Sequence, residues 1–111
     1  MPRTKNELFG ALAASGLPYA NETWWPQKPP NLPYVLVACE GVSTRQADNR
    51  NVMRTTRYRL ELYSRGRDYD SESVIADALD GAGISFGMRP IGVIDQTDIY
   101  EMQFTTTVVG D

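Results

Sequence analysis

No histidine occurs among the 111 residues. The side chain most often used as general base and as metal ligand is therefore missing. Ser-His-Asp and Cys-His arrangements are excluded outright. Cysteine occurs once, at Cys39, so neither an internal disulfide nor a thiolate zinc site can form. Its place in the apolar run 34–39 reads as a buried structural thiol. No stretch approaches the roughly 18 apolar residues of a membrane-spanning helix. No long apolar run follows Met1-Pro2-Arg3, so no secretory leader is visible, and the expectation is a chain made and folded in a cytoplasm-like compartment. A basic excess is lacking too. Eleven Lys and Arg stand against fourteen Asp and Glu, for a net charge of −3. That argues against gripping bare nucleic acid through a broad basic surface. A glycine-rich phosphate loop is also missing. Gly81-Ala82-Gly83 closes a helix rather than opening one, the reverse of what a phosphate site needs.

What remains reads as one domain, residues 1–111, of α+β class. Its centre is the stretch 33–68. Residues 34–39 form a short apolar, β-branched run bounded by Pro33 and Gly41. Residues 53–65 alternate. Thr56, Tyr58, Leu60 and Leu62 point to one side, and Arg57, Arg59, Glu61, Tyr63 and Arg65 to the other. Side chains on a strand alternate faces, so one face is buried and the other charged. Between the two runs, 41–51 is polar and carries Arg45, Asp48 and Arg50 without periodicity. It is expected as a flexible loop or a hairpin arm.

Residues 4–15 read as a helix. Thr4 and Glu7 form a capping box, Leu8, Phe9, Leu12 and Ala13 share a face, and Gly16 and Pro18 stop it. Segment 17–33 holds five of the seven prolines, both tryptophans and Tyr19. Within it 26–33 is an extended, proline-rich connector. Trp24 and Trp25 are neighbours on an extended chain and face opposite ways, so one ring is expected on the core and one as an anchor for a partner. A second helix is expected over 71–82, capped by Asp70, with Val74, Ile75, Ala78, Leu79 and Ala82 on its apolar face and Asp77 and Asp80 off it. Strands are expected at 84–89, 91–94 and 99–109. Short turns make the sheet antiparallel, with both helices on one face as a two-layer sandwich.

The residues suggest no catalysis. Asp68 and Asp70 flank a helix start, and Asp95 and Asp98 a turn; capping and turn roles account for them. No catalytic residue, cofactor or metal is expected. Tyr58 and Tyr63 among Arg57, Arg59 and Arg65 give a faint aromatic-basic pattern, which keeps a small RNA- or peptide-binding module as an alternative.

Three segments in order then resemble a known family. They are Pro29-Pro30 leading to Pro33-Tyr34-Val35-Leu36-Val37, then Ala47-Asp48-Asn49-Arg50-Asn51-Val52, then Tyr58-Arg59-Leu60-Glu61-Leu62-Tyr63-Ser64 with Asp68 beyond. Together they look like the tail terminator (tail completion, or head–tail joining) proteins of long-tailed bacteriophages, over residues 17–109. The resemblance implies a non-enzymatic structural virion protein at the head–tail interface, assembled in the host cytoplasm. It implies a ring, usually of six copies, at the head-proximal end of the tail tube. Such a ring stops tube polymerisation and joins the tail to the head connector. The implied partners are further copies of the chain, the tail tube protein and the connector or adaptor protein. DNA would only pass through the lumen, and no membrane is involved. A head-completion adaptor on the connector side of the same joint is the alternative. A ring subunit needs a charged, self-complementary surface and arms that order on docking. Candidate contact residues are Trp24, Trp25, Arg45, Asp48, Asn49, Arg50, Arg57, Arg59, Glu61 and Tyr63. Of these, Asp48 and Asn49 come from the family's loop motif.

Overall fold

The structure, a computed structural model, describes residues 3–47 and 50–110; of residues 46, 47 and 50–52 it describes the backbone alone. The chain runs α1 (Lys5–Ser15), β1 (Tyr19–Asn21), β2 (Tyr34–Ala47), β3 (Arg50–Arg65), α2 (Tyr69–Gly81), β4 (Gly87–Val93) and β5 (Ile99–Val109). The five strands form one sheet in the order β1-β2-β3-β5-β4. Every pairing is antiparallel except β1 with β2, which is parallel. The α+β architecture expected from the sequence is thus observed, with that one parallel edge added.

The alternation in β3 explains where the core sits. Thr56, Tyr58, Leu60, Leu62 and Ser64 are all buried. They meet Val35 and Val37 of β2 and Met102, Phe104 and Val108 of β5. Leu8, Ala11 and Leu12 of α1 and Ile75 and Leu79 of α2 join the same cluster. Both helices therefore cover one face of the sheet, and burial of these side chains supplies the main driving force for folding.

Local chemistry sets the helix ends. In α1 the Thr4 hydroxyl accepts the Glu7 N–H at 3.2 Å, and the Glu7 carboxylate accepts the Thr4 N–H at 3.1 Å. Gly16 closes the helix with φ of 80°, a left-handed conformation that costs glycine little. In α2 the cap is Asp68 rather than Asp70. The Asp68 carboxylate accepts the Ser71 N–H at 3.0 Å and the Ser71 hydroxyl at 2.8 Å. These bonds hold the Asp68 pKa below its ordinary value, and Asp70 falls in the first turn. The buried face of α2 also differs from expectation. Val74 is exposed, while Ser71 and Glu72 are buried beside Ile75 and Leu79. Glu72 tolerates burial because Arg67 donates to both its oxygens, at 3.2 and 3.3 Å, while the guanidinium lies over the Tyr69 and Tyr100 rings.

Three further expectations are settled or corrected. Of the flexible loop and the hairpin arm expected at 41–51, the described residues form the arm: Gly41 pairs with Arg57, and the ladder continues to Ala47 opposite Arg50. Cys39 is exposed rather than buried, because from this residue the strand has left the layer the helices cover; every residue of 39–45 is exposed. The strands expected at 84–89 and 91–94 are one strand, β4, with a bulge between Pro90 and Gly92. Pro90 has no N–H to give a ladder, and a sheet edge accommodates it.

The β2–β3 hairpin outruns its neighbours. The last pair between β3 and β5 is Thr55 with Val109, and β1 covers β2 only as far as Val37. Beyond Thr55 the Gly110 N–H still donates to the Arg54 carbonyl at 3.0 Å. Past Arg54 the two strands continue as a ribbon that pairs with no third strand among the described residues. The molecule is accordingly elongated, with extents of 52 × 29 × 24 Å. Its radius of gyration is 15.0 Å, against about 13 Å for a compact domain of this length.

Candidate assembly surface

Helices cover one side of the sheet. The other side is built from the odd positions of β3 with their partners on β2 and β5. Glu61 sits at its centre, only 8% exposed. A carboxylate this buried needs partners, and it has two. Arg59 Nε donates to it at 2.6 Å and the Tyr63 hydroxyl at 2.8 Å. Burial, and then the hydrogen bond to Glu61, push the Tyr63 pKa well above its ordinary value. The hydrogen bond that Arg59 itself donates to Glu61, outweighing burial, raises the Arg59 pKa.

Arg59 also reaches Glu40 at 3.3 Å, and Arg57 reaches the other Glu40 oxygen at 3.2 Å. Glu40 occupies the register shift between Cys39 and Gly41. One extra residue in β2 places its carboxylate between two arginines of β3. On β5, Gln103 donates to Glu101 at 2.8 Å, and these two residues pair with Glu61 and Tyr63. The charged part of the face is thus a chain of mutually paired groups. Arg57 keeps a 65% exposed side chain, which leaves it available to a further partner.

Toward the other end the face becomes aromatic. Tyr34 and Tyr63 are cross-strand partners with ring centroids 5.6 Å apart. Trp24 packs edge-on against Tyr34 at 5.5 Å. The Trp24 Nε1 atom is buried and has no hydrogen-bond partner among the described residues. Trp25 is 81% exposed. The two neighbouring rings do face different environments, but the covered one lies against this open face and not in the core cluster.

The expected contact residues therefore fall into three groups. Arg57, Arg59, Glu61, Tyr63 and Trp24 share the open face. Arg45 is exposed on the ribbon, where Arg50 lies in β3 by its backbone. Trp25 stands apart. Asp48 and Asn49 lie outside the described residues. Two members of the face escaped the sequence reading. Glu40 was hidden because a bulge breaks the alternation, and Gly41 directly after it was the available sign. Tyr34 was hidden because it opens an otherwise apolar run. Tyr58 and Tyr63 lie on opposite faces of β3, Tyr58 in the core cluster. They form no joint stacking platform for RNA bases.

Among the described residues no three carboxylates or thiols gather as a metal site, and no helix is long and apolar enough to cross a membrane. No protein-family model matches the chain, and no curated protein is significantly similar to it.

Proposed function

We propose that this chain is a non-enzymatic structural subunit of a phage tail. In this reading copies form a ring, six being the expected number, at the head-proximal end of the tail tube. The ring stops tube growth and joins the tail to the head connector, with DNA passing through its lumen. One observation carries the reading: the domain covers only one face of its sheet and extends two strands of that sheet beyond its own body. The uncovered face bears Arg57, Arg59, Glu40 and Glu61, of both signs, as a lateral contact between like subunits requires. Among the described residues past Arg54, the ribbon offers strand edges with no third strand beside them, and the exposed side chains of Arg45 and Met53, to a neighbour.

The test is complementation of a phage lacking the gene with the double variant Arg57→Glu, Arg59→Glu. Loss of joined, infectious particles is expected, with the variant still folded by circular dichroism. Normal joining and unchanged ring contacts with this variant would contradict the reading.

A further inference from the structure

The β2–β3 ribbon and the outside of the helical layer differ in charge. Charge is distributed unevenly. Residues 44–54 carry Arg45, Arg50 and Arg54 against Asp48 alone, in a chain whose net charge is −3. The ribbon is the basic end of an acidic protein. On it Arg45 and Met53 are cross-strand partners, so a guanidinium and an apolar side chain stand side by side on one face. Both are exposed, Met53 by 38%.

The complementary surface lies on the outside of the helical layer. A groove of about 440 Å³ runs between α1 and α2, floored by Gly10, Ala11 and Ala14 from one helix and Ala78, Gly81 and Ala82 from the other. Exposed Val74, one turn before Ala78, extends the apolar surface along α2. Asp77 and Asp80, the sequence neighbours of Ala78 and Gly81, are exposed and enter no ion pair among the described residues. Glu7 also lines the groove but already accepts from Arg3 and Thr4. A second feature marks these two aspartates. They stand toward the C-terminal end of α2, whose last turn holds no base. Negative charge there opposes the helix dipole and lowers stability. A partner cation would offset this.

We infer that the ribbon of one copy docks on the α1–α2 groove of the next, with Met53 in the groove and Arg45 against Asp77 and Asp80. The inference rests on the self-assembly reading above and adds to the open-face contact a second one between the same copies. Two different patches meet, so the contact is heterologous and propagates from copy to copy. It closes as a ring when the rotation per copy allows.

The test is the weight-average mass of the full chain by light scattering and sedimentation across a concentration series at low and high salt. Four chains are compared: the natural sequence, Arg45→Glu, the pair Asp77→Lys with Asp80→Lys, and all three changes together. The natural chain should associate at low salt and dissociate as salt rises. The first two variants should each weaken association roughly tenfold or more, and the combined chain should recover it. The lysine pair should also unfold at no lower temperature than the natural chain, since it removes the unfavourable charge from the helix end. That separates a lost contact from a lost fold. Association unaffected by either reversal would overturn the inference while leaving the ring reading intact, because subunits would then meet elsewhere. A strict monomer at every concentration would overturn it too. So would a ribbon variant that loses retention on a DNA duplex without losing self-association, which would make the ribbon a nucleic-acid element.

Discussion

The two faces of β3 show how one strand serves two purposes. Its even positions from Thr56 to Ser64 lie on the helix-covered face and are buried. Its odd positions meet no second layer, yet one of them, Glu61, is only 8% exposed, close to the 6% of Ala11 in the core. On the core face, stability comes from area removed from water and from packing. On the open face, each desolvated charge is answered by a neighbour on its own strand or the next, so the net contribution is small. The first face makes the domain fold. The second is tolerated by the fold and remains available for contact.

The largest expected effect lies on the first face. Phe104→Ala removes a fully buried ring packed against Phe86 and should cost roughly 3–5 kcal/mol by urea unfolding. A loss under about 1 kcal/mol would mean that the helices do not hold this face.

The second effect tests the other face. Arg59→Ala takes the 2.6 Å donor from Glu61. With the Arg59 side chain 32% exposed, solvent screens part of the pair, so the expected cost is about 1–2 kcal/mol rather than that of a fully buried pair. Replacing both partners, Arg59→Leu with Glu61→Leu, should return stability to within about 1 kcal/mol of the natural chain. If the double variant is as unstable as the single, the open face contributes net stability and the contrast fails.

A smaller change concerns the α2 cap. Asp68→Ala should cost about 1 kcal/mol at neutral pH. The folded-state pKa of Asp68 is lowered by its bonds to Ser71. Its stabilisation is therefore present above the unfolded carboxylate value near 4, about the usual figure, and is lost as pH falls through the lower folded value. Unfolding midpoints measured from pH 7 down to pH 2 should converge for the natural chain and Asp68→Ala at the acid end. Parallel curves would remove Asp68 from the acid response. Least affected should be Arg57→Glu, which changes stability by under about 0.5 kcal/mol because its side chain is mostly solvated, while still reversing the charge offered to a neighbour.

The strong periodicities were legible in the sequence. The alternation from Thr56 to Tyr63 gave both faces of β3, and that from Tyr100 to Val108 gave those of β5. The Thr4–Glu7 capping box and Gly16 gave α1. Features that depend on register were not legible. Nothing local separates Asp68 from Asp70 as the cap of α2, since either carboxylate can reach a first-turn N–H. Glu40 joins Arg57 and Arg59 through a bulge that shifts the count by one. Cys39 reads as core because an apolar run does not reveal where the overlying helices stop. The groove between α1 and α2 is a product of packing, with glycines and alanines that look unremarkable one helix at a time. The parallel pairing of β1 depends on the path of a proline-rich connector whose direction no periodicity records.

The proposed ring role is tested most directly by particles built without this chain. Electron microscopy of lysates from a phage lacking the gene should show filled heads and separate tails, with tubes of irregular length where growth was not stopped. Restoring the gene should restore joined particles of uniform tail length. Joined, infectious particles of normal tail length in its absence would contradict the account.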